Sequence, residues 1–323
     1  MEIKNWLKVP QPKILSGTSV VRRRPLQCLI WTFLVVLYIH YINRRPSVDL
    51  ISPKPPPLDN IPNKIWQIFF NYTPIDSYTD SIQTWITKNQ DYKYTLVSAA
   101  GANAFALKNY ANRREILYPF LSLHVPVLRS DLLRYMLLES EGGVYSDLDT
   151  AALKPVNEWI PLHLESKVHA VVGIEYDQGE GEAYPGMEGP GLQFCQWTMA
   201  ASRGHPLMAR IVNDVVDALH ALAMKNETTI AELQPSDEEM VQLSGPPIWT
   251  RAVMKTLSEA TGTEMSYRNF TGMKEPRFFG DVMVLPVNGF GTGQLHPGSV
   301  RKGSKDAFVR HGWKGSWKRD WSD

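Results

Sequence analysis

The stretch 127-VLRSDLLRYMLLESEGGVYSDLD-149 changes from a helical to an extended pattern within a few residues. Leucine and methionine recur at helical spacing up to residue 137, and Asp131 and Arg134, three residues apart, project from one face of that helix. Gly142 and Gly143 end the helix, because glycine adopts backbone angles closed to other residues. An extended run begins at Val144. The stretch therefore predicts a helix, a tight turn and a strand, as in α/β proteins.

The end of this stretch carries two acidic side chains in an Asp-x-Asp triplet. If the strand continues to residue 149, Asp147 and Asp149 point to the same face and Leu148 points into the sheet. Two neighbouring carboxylates repel each other, and a divalent cation such as Mn²⁺ or Mg²⁺ relieves that repulsion. Such a cation completes its coordination with water and substrate phosphate oxygens. An isolated triplet is weak evidence, because many cap helices or face solvent.

Composition limits the classes of protein that fit the chain. The 323 residues are 43% hydrophobic, which is enough for one large core. The formal net charge of +1 indicates no general affinity for nucleic acid. The only cysteines are Cys28, inside an apolar run, and Cys195, so a disulfide framework is not expected.

The first sixty residues predict a membrane anchor and a stem. Residues 1–25 are polar and basic and predict a cytosolic tail, and residues 26–42 contain no Lys, Arg, Asp or Glu and predict a short transmembrane helix. Residues 43–60 are rich in proline and predict an extended stem before a globular domain at 61–323. A cleaved signal peptide is the alternative, but no Ala-x-Ala site follows. Three N-glycan acceptor patterns favour a lumenal domain, at Asn71, Asn226 and Asn269.

The globular part opens with alternating apolar residues at 61–70, which predict a core strand. Ligands of α/β sheets lie beyond the carboxyl ends of the strands, so Trp66 and Gln67 could contact a nucleotide base, although Trp66 fits a core position equally well. Residues 92–97, 168–175 and 280–286 predict further strands, and 207–222 predict an amphipathic helix. Glu175 ends one strand and is a candidate for the acceptor side of a site, with Asp177 more readily on the surface.

Three further regions of the second half of the chain have distinctive sequences. Residues 179–191 are rich in glycine and predict a mobile loop. His205, before Pro206, fits a structural turn better than a ligand position. Near the carboxyl end, the run from residue 308 to 318 groups imidazole, hydroxyl, ammonium and indole side chains, an unusual density for a solvated terminus.

Together these motifs resemble the sugar-binding region of glycosyltransferases with an Asp-x-Asp motif. More narrowly, they resemble the fungal α-1,6-mannosyltransferases that initiate the outer chain of N-glycans, in glycosyltransferase family 32. The resemblance covers residues 61 to 318 and rests on the order and spacing of several segments: 61–67 (IPNKIWQ), 92–96 (YKYTL), 129–149, 152–155 (ALKP), 173–178 (GIEYDQ), 194–198 (FCQWT), 204–206 (GHP) and 311–318 (HGWKGSWK).

The resemblance implies a GT-A-type, Rossmann-like fold and a metal-dependent reaction. Asp147, Asp149 and His311 would bind Mn²⁺ or Mg²⁺, and Asp131 and Arg134 would hold hydroxyls of the donor sugar. The donor would be GDP-mannose, with Ser316 at a phosphate oxygen and Trp317 covering the donor; Lys314 and Lys318 could offset charge on the departing diphosphate. The acceptor would be a high-mannose N-linked glycan, extended by a retaining α-1,6 transfer.

The same resemblance implies a location and partners. The enzyme would be a single-pass type II protein of the Golgi membrane with a lumenal catalytic domain. Membership of a multi-subunit mannosyltransferase complex is left open by the sequence. Two other functions stay open. One is mannosylation of an inositol-phosphate sphingolipid, whose enzymes usually have more membrane spans. The other is a catalytically inactive lumenal glycan-binding or scaffold protein, against which the intact Asp131, Arg134, Asp147 and Asp149 argue.

Overall fold

Three consecutive helices separate the first two strands from a run of five strands in the first two thirds of the described chain. The computed structural model describes residues 58–70, 74–179, 191–294, 299–300 and 304–314. The order begins with strand β1 (Lys64–Ile68), helix α1 (Thr79–Lys88), strand β2 (Lys93–Val97) and helices α2 (Ala99–Asn109), α3 (Arg114–Ser122) and α4 (Pro126–Glu141). Strands β3 (Gly143–Ser146), β4 (Thr150–Ala152), β5 (Ala170–Asp177), β6 (Leu192–Phe194) and β7 (Thr198–Ala201) follow.

The remaining elements complete the sheet and its helical cover. They are helices α5 (Pro206–Lys225), α6 (Asp237–Ser244) and α7 (Pro246–Thr261), strands β8 (Arg277–Phe279) and β9 (Val282–Leu285), helix α8 (Val287–Phe290) and strand β10 (Val309–His311). The strands expected at 61–70, 92–97, 168–175 and 280–286 and the helix expected at 207–222 are therefore present as β1, β2, β5, β9 and α5.

A mixed eight-stranded sheet forms the centre, in the order β2-β1-β3-β7-β5-β9-β8, with β6 paired to β5. β1 is parallel to β2 and β3, and β5 is parallel to β9. β7 is antiparallel to both β3 and β5, so β3 and β5 run in the same direction. Strands β1, β2, β3, β5 and β9 therefore all share one direction. Their carboxyl ends therefore meet at one edge of the sheet, where ligands of α/β proteins bind.

Each central strand divides its side chains between two cores. On β1, Ile65 and Trp66 enter opposite clusters, and on β3 Val144 and Tyr145 do the same, as the two-residue period of a strand requires. One cluster packs against helices α2 to α5 and α7, and the other lies beneath α1, β4 and β10. The sheet is thus covered on both faces, as expected for strands with near-continuous apolar runs.

Helix α4 is the most deeply buried helix near the site. It starts with Pro126 in its first turn and ends before Gly142, whose φ of 64° is in the left-handed region. The predicted helix, glycine turn and strand across 127–146 are confirmed. Its buried face carries Asp131, Arg134 and Glu139, and each of these charged groups has a charged or hydrogen-bonding partner.

No helix within the described residues is long and apolar enough to cross a membrane. The predicted span at 26–42, the stem at 43–57, the sequon at Asn71 and most of the loop at 179–191 lie outside the described residues.

Candidate functional site

The Asp-x-Asp triplet lies in a turn, so the prediction that Asp147 and Asp149 belong to one strand is wrong. β3 ends at Ser146, and Thr150 N donates to Asp147 O at 3.1 Å to close the turn. The side chains of Gln67 and Thr150 also donate to Asp147 O, at 2.9 and 2.5 Å. The carbonyl is therefore taken by side chains instead of a strand partner. Leu148 is half-buried in this turn rather than inside the sheet.

The carboxyl-terminal strand comes back over this turn. β10 pairs antiparallel with β4, which places His311 opposite Thr150. Gly312 N donates to Asp149 O at 2.7 Å, and a Cβ at Gly312 would lie 2.8 Å from that oxygen, so only glycine fits this approach. Lys314 N donates to Asp149 Oδ2 at 2.9 Å. The fold thus joins residues 147–149 to residues 311–314.

Asp147, Asp149 and His311 form the cluster that the sequence predicted as a metal site. One ligand atom of each lies within 4.8 Å of the others. His311 Nε2 is 3.1 Å from Asp149 Oδ1, while no hydrogen-bond partner within the described residues reaches the buried His311 Nδ1. Two carboxylates and an imidazole with a spare nitrogen are donors that suit a divalent cation. The residues therefore fit a metal ion.

The two carboxylates of the triplet have opposite electrostatic environments. Burial raises the pKa of Asp147, and the nearby Asp149 adds to that rise, although Arg134 opposes it. The pKa of Asp149 lies below the usual range. Burial alone would raise it, but the hydrogen bonds from His311 and the Lys314 backbone lower it by more. Asp149 is therefore the more firmly ionised of the two.

An ion pair on α4 lies beside the cluster. Arg134 Nη2 is 2.6 Å from Asp131 Oδ1 and 3.5 Å from Asp147 Oδ1, and Arg134 Nη1 donates to Gln196 O at 3.2 Å. Ser244 Oγ donates to Asp131 Oδ2 at 2.7 Å. Arg134 links the predicted sugar-binding pair to the turn, and burial raises the pKa of Asp131 to about 6 despite its cationic partner.

Tyr145 adds a second link between α4 and the turn. The Arg134 guanidinium lies over its ring, 4.9 Å from the centroid, and Tyr145 OH donates to Asp147 Oδ1 at 2.5 Å. Asp131 and Asp147 counteract the burial of Arg134 and raise its pKa, so the guanidinium stays charged. A permanent positive charge therefore lies next to Asp147.

Glu175 lies at the same edge of the sheet, near the carboxyl end of β5. It is 3% exposed, and its two oxygens accept from Gln193 Nε2 at 2.9 Å and Trp197 Nε1 at 3.1 Å. Burial raises the pKa of Glu175 above its usual range, although those two hydrogen bonds partly offset the rise. Asp177, by contrast, accepts from the backbone of Gly179 and Gly272 and orders surface loops, as its alternative reading expected.

Trp66 and Gln67 are interior residues: Trp66 takes the core position that the sequence left open beside contact with a base, and Gln67 is buried next to it. Trp66 packs in the core beneath the helices and donates its indole N–H to Gly142 O at 2.8 Å. Gln67 is fully buried; it accepts from Tyr94 OH at 2.7 Å and holds Asp147 O. Their side chains are engaged in supporting the turns at 142 and 147, because β1 is central to the sheet. Gln67 therefore acts on the site through Asp147.

Three other predicted residues have different outcomes. Lys314 directs its ammonium to Ser77 O and to the ring of Tyr78, 4.6 Å from the centroid. His205 is structural as expected: it is buried and its Nδ1 accepts from Leu207 N at the start of α5. Ser316, Trp317 and Lys318 lie outside the described residues.

Sequence reasoning missed several residues that shape the site. Ser244, Tyr145, Gln196 and Trp197 all contact a predicted site residue, yet none carries a local pattern that shows this. For Gln196 and Trp197 the available signal was the segment 194–198, which belongs to the motifs that carry the resemblance. The contacts themselves join residues far apart in sequence.

Residues 76–164 match the family described as the glycosyltransferase sugar-binding region containing DXD motif. The initiation-specific α-1,6-mannosyltransferase of Schizosaccharomyces pombe is 32% identical over 287 residues, which cover 85% of this chain and 69% of that protein. The Candida albicans enzyme of the same name is 28% identical over 282 residues, or 80% of this chain and 72% of that one.

Among solved structures, the PaToxG glycosyltransferase aligns with a TM-score of 0.40 and 18% identity, over 64% of this chain and 73% of that one. With the acidic turn and the DXD match, the sequence comparisons define the class of protein: the chain is a glycosyltransferase and, at the level of the sugar transferred, a mannosyltransferase. Within that class, the chain belongs to the family of the initiation-specific α-1,6-mannosyltransferases.

Proposed function

We propose that this enzyme transfers mannose from GDP-mannose to a high-mannose N-linked glycan, with Mn²⁺ as cofactor, an α-1,6 linkage and retention of the anomeric configuration. The observation that carries the proposal is the cluster of Asp147, Asp149 and His311 beside the Arg134–Asp131 pair. The donor, the linkage and the acceptor follow the names of the relatives and the family resemblance. The imidazole in the donor set favours Mn²⁺ over Mg²⁺, which prefers oxygen ligands.

In this proposal Asp147, Asp149 and His311 would hold the metal ion, which when bound supplies a Lewis acid that offsets charge on the departing GDP. The bond between the anomeric carbon and the phosphate oxygen breaks, and its electron pair leaves with GDP. An acceptor hydroxyl oxygen forms the new bond to the anomeric carbon, and its proton passes to the departing phosphate. The fixed charge of Arg134 next to Asp147 supports the same anionic leaving group.

The remaining predicted catalytic residues receive narrower roles. Asp131 holds Arg134 in place and, with it, lines the donor-sugar side of the turn. Glu175 has both oxygens bonded within the protein, so we assign it to ordering the acceptor side through Gln193 and Trp197 rather than to proton transfer. A carboxylate that is almost fully buried and already accepts two hydrogen bonds within the protein is poorly placed to take a proton from an acceptor.

We also propose a GT-A-type fold and a lumenal Golgi location behind a type II anchor at residues 26–42. The fold proposal is supported by a site at the carboxyl edge of the parallel strands, next to the acidic turn. The location is supported by the basic and apolar patterning of the first 45 residues and by the sequons. Asn226 is exposed, as a glycan acceptor must be, whereas Asn269 Oδ1 is engaged with Ser266 N at 2.8 Å.

The test is release of GDP by the full-length chain with GDP-mannose, Mn²⁺ and a high-mannose N-glycan, beside the variant Asp149→Ala. We expect acceptor-dependent GDP release and a mannosylated product, both lost in the variant and on chelation. An inositol-phosphate ceramide offered in place of the glycan separates the sphingolipid alternative. Transfer to that lipid alone would contradict the glycan proposal, and no release with any sugar nucleotide would favour a scaffold.

The linkage needs its own readout. Methylation analysis of the product and digestion with a linkage-specific mannosidase distinguish an α-1,6 bond from the α-1,2 and α-1,3 alternatives. A product resistant to α-1,6-mannosidase would contradict the linkage while leaving the mannosyltransferase assignment intact.

A further inference from the structure

Trp197 contacts three separate parts of the candidate site. Its ring stacks on the imidazole of His311, with centroids 4.6 Å apart and planes 6° from parallel. Its indole N–H donates to Glu175 Oε1 at 3.1 Å, and its backbone carbonyl accepts from Asp147 N at 2.8 Å. One residue thus meets two of the three candidate metal ligands and the buried carboxylate beside them.

The backbone that carries Trp197 is anchored on both sides. It lies in the short connection between β6 and β7, where Cys195 N donates to Gly173 O at 2.8 Å and Cys195 O accepts from Trp249 Nε1 at 3.0 Å. Gln196 O accepts from Arg134, and Trp197 itself is 4% exposed. The indole is therefore held in a fixed plane by the protein before any ligand binds.

His311 depends on its neighbours for orientation because it lies on a strand of only three residues. Its Nε2 reaches Asp149, Trp313 approaches edge-on, and the face of the ring lies on Trp197. An imidazole needs a fixed ring plane to present its lone pair to a metal, and partners behind the ligand normally set that plane. Here a stacked ring fixes the plane of the imidazole in addition to its contact with Asp149.

We propose that Trp197 is a positioning residue of this enzyme, which sets the plane of His311 by stacking, fixes Asp147 through its carbonyl and holds Glu175 through its indole N–H. The proposal rests on the proposed function in one respect, namely that Asp147, Asp149 and His311 bind Mn²⁺. The ring, the N–H and the carbonyl of Trp197 reach different residues, so their contributions can be tested separately.

Two substitutions separate these contributions. Trp197→Phe keeps an aromatic face for His311 and deletes the donor to Glu175, whereas Trp197→Leu deletes both and keeps an apolar side chain of moderate volume. Both keep the backbone carbonyl on Asp147. Tyr110→Phe is the control, because it removes a buried aromatic hydroxyl that donates to Glu139 Oε2 and Met136 O, and no contact within the described residues joins Tyr110 to the cluster.

The first readout is Mn²⁺ binding to each full-length variant, with the metal alone, followed by the electron paramagnetic resonance of free Mn²⁺. We expect Trp197→Leu to weaken Mn²⁺ binding about 10- to 100-fold, the usual effect of losing a partner behind a ligand. We expect Trp197→Phe and Tyr110→Phe to bind Mn²⁺ as wild type. The second readout is steady-state transfer: Trp197→Phe lowers kcat with the KM for the donor unchanged, since only the contact to Glu175 is lost.

The outcomes separate this inference from the proposed function. If a folded Trp197→Leu variant binds Mn²⁺ as tightly as the wild-type chain, the stacking role is overturned and the proposed metal site is still supported. If the wild-type chain takes up no Mn²⁺, the metal site and the role of Trp197 in it both fall. If the leucine variant does not fold, Trp197→Phe decides alone: lost Mn²⁺ affinity or undiminished kcat overturns the inference, and retained affinity with reduced kcat supports it.

Discussion

At the scale of single residues, the site depends on charges that the fold buries with their partners. Asp131 and Arg134 are almost fully buried on α4, and Ser244 from the end of α6 donates a hydrogen bond to Asp131. Burial of both charges carries a desolvation penalty that only good geometry repays, so such a pair is better explained by positioning than by stability. Its stability contribution should consequently depend on pH.

The pH dependence follows from the pKa of Asp131, which burial raises to about 6. Between its ordinary value near 3.8 and that value, the folded protein holds a proton that the unfolded chain releases, so the contribution is present below the unfolded pKa and is lost as pH rises through about 6. Relative to Asp131→Asn, the wild-type chain should lose about 2 kcal/mol of unfolding free energy from pH 4 to pH 7, because the unfolded chain is already partly protonated at pH 4. Urea unfolding at both pH values measures the difference.

Asp177→Asn serves as the control for exchanging a carboxylate for an amide, since Asp177 accepts backbone hydrogen bonds from Gly179 and Gly272 away from the Asp131–Arg134 pair. A gap between wild type and Asp131→Asn that stays constant from pH 4 to pH 7 would contradict the raised pKa.

At the scale of elements, the corner between α4 and β3 decides where the acidic turn lies. Gly143 has φ of 105°, and a Cβ there would lie 2.6 Å from Lys64 O on β1. The pairing of β1 with β3 therefore needs glycine at this position, both for the backbone conformation and for the close approach. A shift of β3 would carry Asp147 and Asp149 with it.

Gly143→Ala should destabilise the protein by roughly 1–2 kcal/mol for the backbone conformation and about 1–3 kcal/mol more for the contact with β1. Gly262→Ala is the matched control: its φ is 66°, but no atom lies within 4 Å of the added Cβ, so only the conformational part applies. Chemical denaturation of the two variants measures the difference. Equal losses in both would show that the close approach to Lys64 contributes nothing.

At the scale of the whole molecule, the candidate metal site joins two parts of the chain that are far apart in sequence. Asp147 and Asp149 follow β3, whereas His311 lies on β10, which comes after the other described strands in the sequence. A ligand that binds only the folded arrangement stabilises the whole chain, because the unfolded chain does not bring these groups together.

Mn²⁺ at about 100 times its dissociation constant should raise the unfolding free energy by about 2.7 kcal/mol, and chelation should reverse the gain. Asp149→Asn should abolish the effect. Asp281→Asn should keep it, because Asp281 forms a separate Asp–His pair, with His205 Nε2 at 3.5 Å from Asp281 Oδ2. Thermal unfolding with and without Mn²⁺ compares the three proteins, and a full Mn²⁺ response in Asp149→Asn would place the ion elsewhere.

Local rules predicted much of this protein from its sequence. The helix at α4, its glycine ending, the spacing of Asp131 and Arg134, the strands β1, β2, β5 and β9 and the structural role of His205 depend on neighbours within a few residues, and all are present. Side-chain periodicity and the backbone freedom of glycine act over this range, so a sequence read in order contains the information.

Only the tertiary structure decided how those parts form a site. The acidic triplet turns instead of extending because Gln67, from β1, takes the carbonyl of Asp147, and that same burial in the central strand keeps Trp66 and Gln67 inside the protein. His311 reaches the cluster through the pairing of β10 with β4, and Trp197 reaches it through the crossing between β6 and β7. Each of these contacts joins residues separated by tens to hundreds of positions, where sheet order rather than local pattern determines which side chains meet.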